Sequence, residues 1–324
     1  MVGNNSSLVS VLIPAYNHEK YVQDTLRSII AQTYQNIELI VIDDGSPDAT
    51  WQKIQEMKSE CEKRFSRVYF ETKENEGTCK TLNRLLSLAQ GNFVYLIASD
   101  DIAMPLAIAV EADFLENNPD YVLAVGDNEF IDADNIRVGR NKYGKNVPLE
   151  QVAYKTLMES ITATLGEPDF PEKTFGTYAL LAKSNHVPNG YLIRKSRIDN
   201  ITFTPEAPLE DLFLMLQLAK QGKFKFFNEI LFSYRWHGEN TALKASHMKN
   251  MTAKTYIFER KMLELNKNHE LLKTFDSSIE YYKMRINIFN IAKYYYHRSI
   301  DYEEDIIELF KVKFRIRYNK FVIH

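Results

Sequence analysis

Short, nearly continuous apolar runs alternate with helically spaced ones through the first third of the chain. Val9–Pro14, Ile37–Asp43, Val68–Glu71 and Phe93–Ala98 are strand-sized, while Tyr21–Ala31, Ala49–Lys63, Thr78–Ala89 and Pro105–Glu116 carry helical spacing. Runs that are apolar at almost every residue suit strands buried on both faces. Their alternation with helices predicts an α/β half built on a mostly parallel sheet with helices on each side. From about Asp127 to Pro188 the pattern weakens, and Gly, Pro and charged residues predict loops and short strands facing a variable ligand. It sharpens again at Tyr191–Arg194, over Leu209–Lys220 as a helix, and over Phe224–Phe232 as strand-like segments; from about Ser246 to Phe310 it is helical and rich in Tyr and Phe. No repeat and no low-complexity linker divides the chain, so any second unit is expected to pack directly on the first.

In open α/β sheets, ligands collect outside the carboxyl ends of the strands. Those ends carry Tyr16-Asn17, Asp43-Asp44, Glu74-Asn75 and Asp100-Asp101. The last pair is the most pointed, because two adjacent acids closing a buried strand cost desolvation energy unless a cation or hydrogen-bond donors compensate them. No Gly-x-Gly-x-x-Gly and no Gly-x-x-x-x-Gly-Lys-Ser/Thr loop follows a strand, so phosphates would need another partner. Mg²⁺ or Mn²⁺ on Asp101 supplies one, since hard cations bridge carboxylate to phosphate oxygens. A strand-tip carboxylate accepts the N3 hydrogen of uracil or thymine, whereas neutral cytosine presents an acceptor there; Tyr16 offers a stacking face for such a base. Taken alone, Asp44-Gly45-Ser46 is equally a turn followed by a helix cap.

Composition narrows the class further. The chain has 324 residues, 45% of them apolar, enough for a substantial core. Forty Lys plus Arg against 43 Asp plus Glu give a net charge of -3, which argues against nucleic acid as a partner. Cys61 and Cys79 show neither metal-ligand spacing nor a disulfide framework and read as ordinary thiols of a reducing cytosol. With no signal-peptide pattern and no apolar run of the roughly 18 to 20 residues a membrane span needs, the expected location is cytoplasmic, or peripheral on the cytoplasmic face of the inner membrane.

Over roughly residues 8 to 240 the sequence resembles the family 2 glycosyltransferases of the GT-A fold. The resemblance rests on Val11-Leu12-Ile13-Pro14-Ala15-Tyr16-Asn17, Ile42-Asp43-Asp44-Gly45-Ser46, Asn75-Glu76-Gly77, Ser99-Asp100-Asp101 and Glu210-Asp211, in that order. It implies a Rossmann-like GT-A catalytic domain over residues 1–240, with a nucleotide-sugar half at 8–126 and an acceptor half at 127–240. A C-terminal helical extension with a basic, aromatic tail would follow at 241–324. The implied activity is inverting, of hexosyltransferase type: one sugar moves from a UDP-sugar or dTDP-sugar to an acceptor hydroxyl on a lipid-linked saccharide or growing surface polysaccharide.

The resemblance also implies roles. Asp44, or Asp43 in its place, contacts the base, with Pro14, Ala15, Tyr16 and Asn17 lining the nucleoside pocket and Asn75, Gly77 and Asn83 on the donor side. Asp100 lies near the ribose or donor sugar, and Asp101 binds Mn²⁺ or Mg²⁺. Asp211 is the general base, with Glu210 beside it. In-line displacement requires that base to lie across the cleft from Asp101, with metal and nearby donors carrying the leaving diphosphate. His237, in Tyr234-Arg235-Trp236-His237, completes the metal site or touches the diphosphate, and Arg235 is an alternative phosphate contact. His186, Asn189 and Trp236 are acceptor-side candidates.

The sequence departs from the family pattern where an Arg-Asn pair is common and Leu82-Asn83 stands instead. It has Ser-Tyr-Arg-Trp-His at Ser233 to His237, not the Gln-x-x-Arg-Trp of processive members, so addition of a single sugar is expected. The aromatics between Ile279 and Tyr296 read as packing. From Lys311 to Tyr318 basic residues alternate with apolar ones at period two, which suits either an anionic membrane surface or a protected edge strand. The rival of a different class is a non-catalytic nucleotide-sugar-binding or scaffold protein, for which retention of both Asp101 and Asp211 would be unneeded.

Overall fold

The four early apolar runs become four adjacent parallel strands: β1 (Val9–Ala15), β2 (Ile37–Asp43), β3 (Arg67–Thr72) and β4 (Phe93–Leu96), side by side in the order β3-β2-β1-β4. The computed structural model describes residues 6–142, 145–165, 173–238, 240 and 243–285. Alternate residues of a strand face opposite sides of the sheet, and both sides here are apolar. Val9, Val11 and Ile13 join one buried cluster with Leu26 and Ile29 of α1 (Val22–Ile30), Ile54 of α2 (Thr50–Glu56), Cys61 of α3 (Lys58–Arg64) and Ile108 and Leu115 of α5 (Ala107–Asn117). Leu12, Ile40 and Ile42 join the other with Leu82 and Leu85 of α4 (Thr78–Leu88). The helical pattern over Ala49–Lys63 is interrupted at buried Met57, which ends α2 and begins α3.

The sheet continues from β4 through β9 (Tyr191–Arg194), β6 (Tyr121–Ile131) and β10 (Lys223–Arg235) to the two-residue edge strand β5 (Ile102–Ala103). β9 is antiparallel to both neighbours and β5 to β10, whereas β6 and β10 run parallel, so the sheet is mostly parallel as expected. Residues 127–188, read from sequence as loops and short strands, also contain the end of the eleven-residue β6. Beyond it lie β7 (Arg137–Arg140), β8 (Asn146–Val147), α6 (Leu157–Leu165) and α7 (Tyr178–Leu181).

After α8 (Lys195–Ile198) and α9 (Glu210–Ala219), the chain ends its described part in α10 (Ala245–Leu265) and α11 (His269–Arg285). These last helices are not a separate layer: Tyr256, Leu263 and Phe275 sit in the same core cluster as Leu181 of α7 and Leu214 of α9. Buried Glu259 of α10 accepts from Tyr178 Oη at 2.5 Å and Gln217 Nε2 at 2.8 Å, with Lys220 Nζ at 2.8 Å, and so ties α10 to α7 and α9. Among the described residues no helix is long and apolar enough to cross a membrane. The tail Lys311–Tyr318 and most of the aromatic run before it lie outside the described residues.

Candidate functional site

A cleft of about 960 Å³ opens at the carboxyl ends of β1, β2 and β4. Its one wall is made by the loops after those strands, and its other by the amino end of α9, the Asn189-Gly190 turn before β9, and the first turns of α10.

At the β2 end, the Asp44 amide donates to Ala15 O at 2.9 Å. Its carboxylate accepts the main-chain N–H groups of Glu76 at 3.1 Å and Gly77 at 2.9 Å and pairs with Lys73 Nζ. The turn needs Gly45, whose φ is +69° and where a Cβ would lie 2.7 Å from Asn75 N. Burial alone would raise the Asp44 pKa; the Lys73 ammonium and the Glu76 amide outweigh it and hold the carboxyl below its usual range. A carboxylate has about four acceptor positions, so Asp44 keeps capacity for a further donor. Tyr16, 47% exposed, stands beside it on the rim, and Asn17, at φ +58°, ties the two loops by donating to Ser46 Oγ at 2.9 Å.

At the β4 end, Asp100 meets two imidazoles. His237 Nε2 lies 3.0 Å and His18 Nε2 3.6 Å from its Oδ2, and the three ligand atoms fall within 4.8 Å of one another. His18 is oriented by Ser99 Oγ at 2.8 Å from Nδ1, and His237 stacks on Tyr21 with ring centroids 4.7 Å apart. Burial opposes the charge on Asp100, but the hydrogen bond from His237 and the fields of both histidines prevail and lower its pKa. For Asp101 burial dominates, reinforced by the Asp100 charge, and raises the pKa well above the usual range. Its Oδ1 accepts the Arg235 amide at 2.8 Å.

On the opposite wall, Glu210 and Asp211 begin α9, where the helix dipole favours acids. Asp211 accepts from Asn185 Nδ2 at 3.1 Å and from the Leu212 amide at 2.6 Å. Burial raises both carboxyls, and the charge of Asp211 adds to the effect on Glu210, pushed up to about 7. Both side chains are half-buried, and a carboxylate with a raised pKa facing a cavity is suited to accept a proton near neutral pH.

Residues 10–170 match the family model of Glycosyl transferase family 2. The chain is a family 2 glycosyltransferase. The transferase is 26% identical over 271 residues to the UDP-Glc:alpha-D-GlcNAc-diphosphoundecaprenol beta-1,3-glucosyltransferase WfaP of Escherichia coli, covering 83% of this chain and 91% of that one. It is 26% identical over 310 residues to a chondroitin synthase of Pasteurella multocida, covering 94% of this chain but only 27% of the synthase. Among solved structures, Staphylococcus aureus TarS 1-349 in complex with UDP-GlcNAc superposes with a TM-score of 0.59 at 16% identity, over 93% of this chain and 79% of that one. That likeness establishes the GT-A fold.

The transferase brings Pro14, Ala15, Tyr16, Asn17, Asp44 and Gly77 together on the first wall of the cleft. Asp100 and Asp101 lie at its β4 end, with His237 behind Asp100 on the neighbouring groove, and Asn189, Glu210 and Asp211 lie on the second wall. Within the acid pair the order differs from expectation: Asp100, not Asp101, joins the histidine cluster, because Asp101 is turned to the buried Arg235 amide.

Besides His237, six expected contacts are absent from the cleft lining. The Asp43 carboxylate is taken by Ser46 and by Thr72 Oγ1 at 2.7 Å. Asn83 closes a two-bond bracket on the Phe203 main chain, both bonds at 2.8 Å. Asn75 packs its main chain against Gly45. Arg235, fully buried, donates to Asp100 O at 2.6 Å and Asp132 O at 3.2 Å and lies over the Tyr21 ring. His186 uses both ring nitrogens on the main chain, accepting from Gly176 N at 3.0 Å with Nδ1 3.1 Å from Ser184 O, and burial lowers its pKa to about 4. The Trp236 ring stacks against the Arg140 guanidinium at 4.3 Å and borders a neighbouring shallow groove.

Conversely, sequence reasoning passed over His18, Lys73, Lys244 and His247. His18 follows Tyr16-Asn17 directly at the first strand tip, which is a usable signal; the other three depend on loop and helix placement. The thiols behave as expected: burial pushes Cys61 up to about 12 and Cys79 to about 11.

Proposed function

We propose that the transferase moves one sugar from a UDP-sugar to a hydroxyl of a saccharide carried on a lipid diphosphate, with inversion at the anomeric carbon. One observation carries this reading: Asp211, with Glu210, faces in a single cleft both the Asp44 loop and the Asp100 cluster. The near full-length similarity to WfaP supports the lipid-linked acceptor, and the likeness to UDP-bound TarS is consistent with the nucleotide. In this reading Asp44 accepts the uracil N3–H beside Tyr16, residues 8–126 hold the donor and residues 127–240 the acceptor. Asp211 takes the proton of the acceptor hydroxyl as it attacks the face of the sugar opposite the diphosphate. Asp211 is kept aligned by Asn185.

Asp100, His237 and His18 would hold a divalent cation, and their mixed nitrogen and oxygen donors favour Mn²⁺ over Mg²⁺. When bound, such an ion neutralises charge on a departing diphosphate. Nothing in this division of labour calls for a general acid from the protein.

The test is a panel of UDP- and dTDP-sugars, with and without Mn²⁺, followed by nucleotide release. Release from a UDP-sugar that requires Mn²⁺ is the expected result. A metal-independent response to every donor, or none to any, would sink the reading; the latter is the result a non-catalytic binder gives.

A further inference from the structure

His247, Met248 and Met251 lie in the first two turns of α10, Lys244 is the residue at its N-cap, and all four line the cleft as one stripe. The two cationic or protonatable groups are exposed and the two thioethers half-buried. The stripe is fixed relative to the proposed base. Thr255 Oγ1, one turn beyond Met251, accepts the amide of Leu209, the residue immediately before Glu210, at 3.0 Å. Glu259, a further turn along, binds Gln217 and Lys220 of the same helix that Glu210 and Asp211 begin. Helix α10 therefore extends the Asp211 wall of the cleft, whereas the Asp44 loop and the Asp100 cluster belong to the wall opposite.

The group that surrenders its proton to Asp211 is the acceptor, so what flanks Asp211 along α10 meets the part of the acceptor beyond its reacting sugar. The chemistry of the stripe narrows that part. An ammonium and an imidazole bind phosphate oxygens through charge-assisted hydrogen bonds. Two methionines give an adaptable apolar floor that suits a flexible hydrocarbon without demanding one shape. We propose that this stripe is an acceptor subsite for a diphosphate joined to an apolar chain, with Lys244 and His247 on the phosphates and Met248 and Met251 under the first carbons of the lipid. The assignment rests on the transfer reading given above.

The experiment measures farnesyl diphosphate binding to the full chain by calorimetry, with no donor present, against farnesol and inorganic pyrophosphate. The parent is expected to prefer farnesyl diphosphate to either fragment by about tenfold or more, the range expected for losing one charge-assisted or apolar contact set. Lys244→Ala with His247→Ala should erase the preference over farnesol, and Met248→Gln with Met251→Gln the preference over pyrophosphate. Because each pair removes a different preference, a general loss of structure would not reproduce the pattern. Equal binding by parent and variants overturns the proposal. So does competitive displacement by UDP in saturating Mn²⁺, which would assign the cations to the donor's diphosphate. UDP-sugar turnover without a farnesyl preference sinks the subsite alone; a farnesyl preference without turnover of any donor sinks the transfer reading alone.

Discussion

His237 Nε2 lies 3.0 Å from Oδ2 of Asp100, a residue 137 positions earlier in the chain. The end of β10 fixes both partners. Arg235 Nε donates to the Asp100 carbonyl at 2.6 Å, its amide holds Asp101, and Asn240 Oδ1 accepts the His237 amide at 2.5 Å while its Nδ2 donates to Arg235 O. The imidazole and the carboxylate are thus presented side by side by one strand terminus, with His18 arriving from β1.

This arrangement separates the two adjacent acids by experiment. Asp100→Asn or His237→Ala should weaken Mn²⁺ binding, followed by electron paramagnetic resonance, on the order of 100-fold. Asp101→Asn should leave Mn²⁺ binding within a few-fold of the parent and instead lower the melting temperature. Loss of Mn²⁺ binding in Asp101→Asn alone would return the ligand role to the second acid.

The acid pair at the start of α9 predicts a pH profile. A proton acceptor works only when ionised, and burial raises both carboxyls, Glu210 to about 7. The two share a site, so the profile reports the pair and not either residue. The rate of transfer should therefore fall with decreasing pH at values above the usual carboxylate range near ~4. Asp211→Asn should lose about 100-fold or more in turnover with donor binding retained, and Asn185→Ala, which frees one oxygen of Asp211, should lose less. A flat profile between pH 5 and 8 would remove the assignment.

The sheet was legible in the sequence because its strands are apolar on both faces and their tips are polar: Ile37–Asp43 was delimited to the residue, and the tips at Tyr16, Asp44 and Asp100 do meet in one cleft. Which member of Asp100-Asp101 faces the cluster was not, since neighbouring residues differ only in the direction the backbone gives them as it leaves the sheet. Arg235 and His186 look functional in sequence for a related reason: a cation or imidazole beside a strand end is equally a tool for satisfying buried carbonyls and amides, and here each is spent on the main chain. The contribution of α10 to the cleft could not be read at all, because it depends on a packing partner, α9, about thirty residues earlier.

Arg235 gives a stability prediction distinct from a binding one. Its guanidinium is fully buried, donates to the carbonyls of Asp100 and Asp132, and lies 3.6 Å from Asp24. Removing one partner of a buried ionic group typically costs about 3–5 kcal/mol. Arg235→Met should therefore lower the urea midpoint strongly. If Arg235→Met instead keeps its midpoint and raises only the KM for the nucleotide sugar, the residue belongs to the phosphate site after all.

Glu111 of α5 predicts how stability varies with pH. Its carboxyl is fully buried, and neither oxygen meets a partner in hydrogen-bond geometry; the nearby main chain of Gly126 and Leu192 only partly counters the burial, which raises its pKa well above the usual range. The folded protein thus binds this proton more tightly than the unfolded chain does. The stability it contributes is present in full below the unfolded carboxylate pKa, near ~4.3, and is lost as pH rises toward the folded value, by about 1.4 kcal/mol per unit. Glu111→Met, similar in volume and without the ionisable group, removes that loss. The variant should be more stable than the parent at pH 8 and gain progressively less as pH falls toward 5. Urea denaturation of both proteins across that range checks it, and a stability difference that does not change with pH would show that Glu111 is not held neutral in the fold.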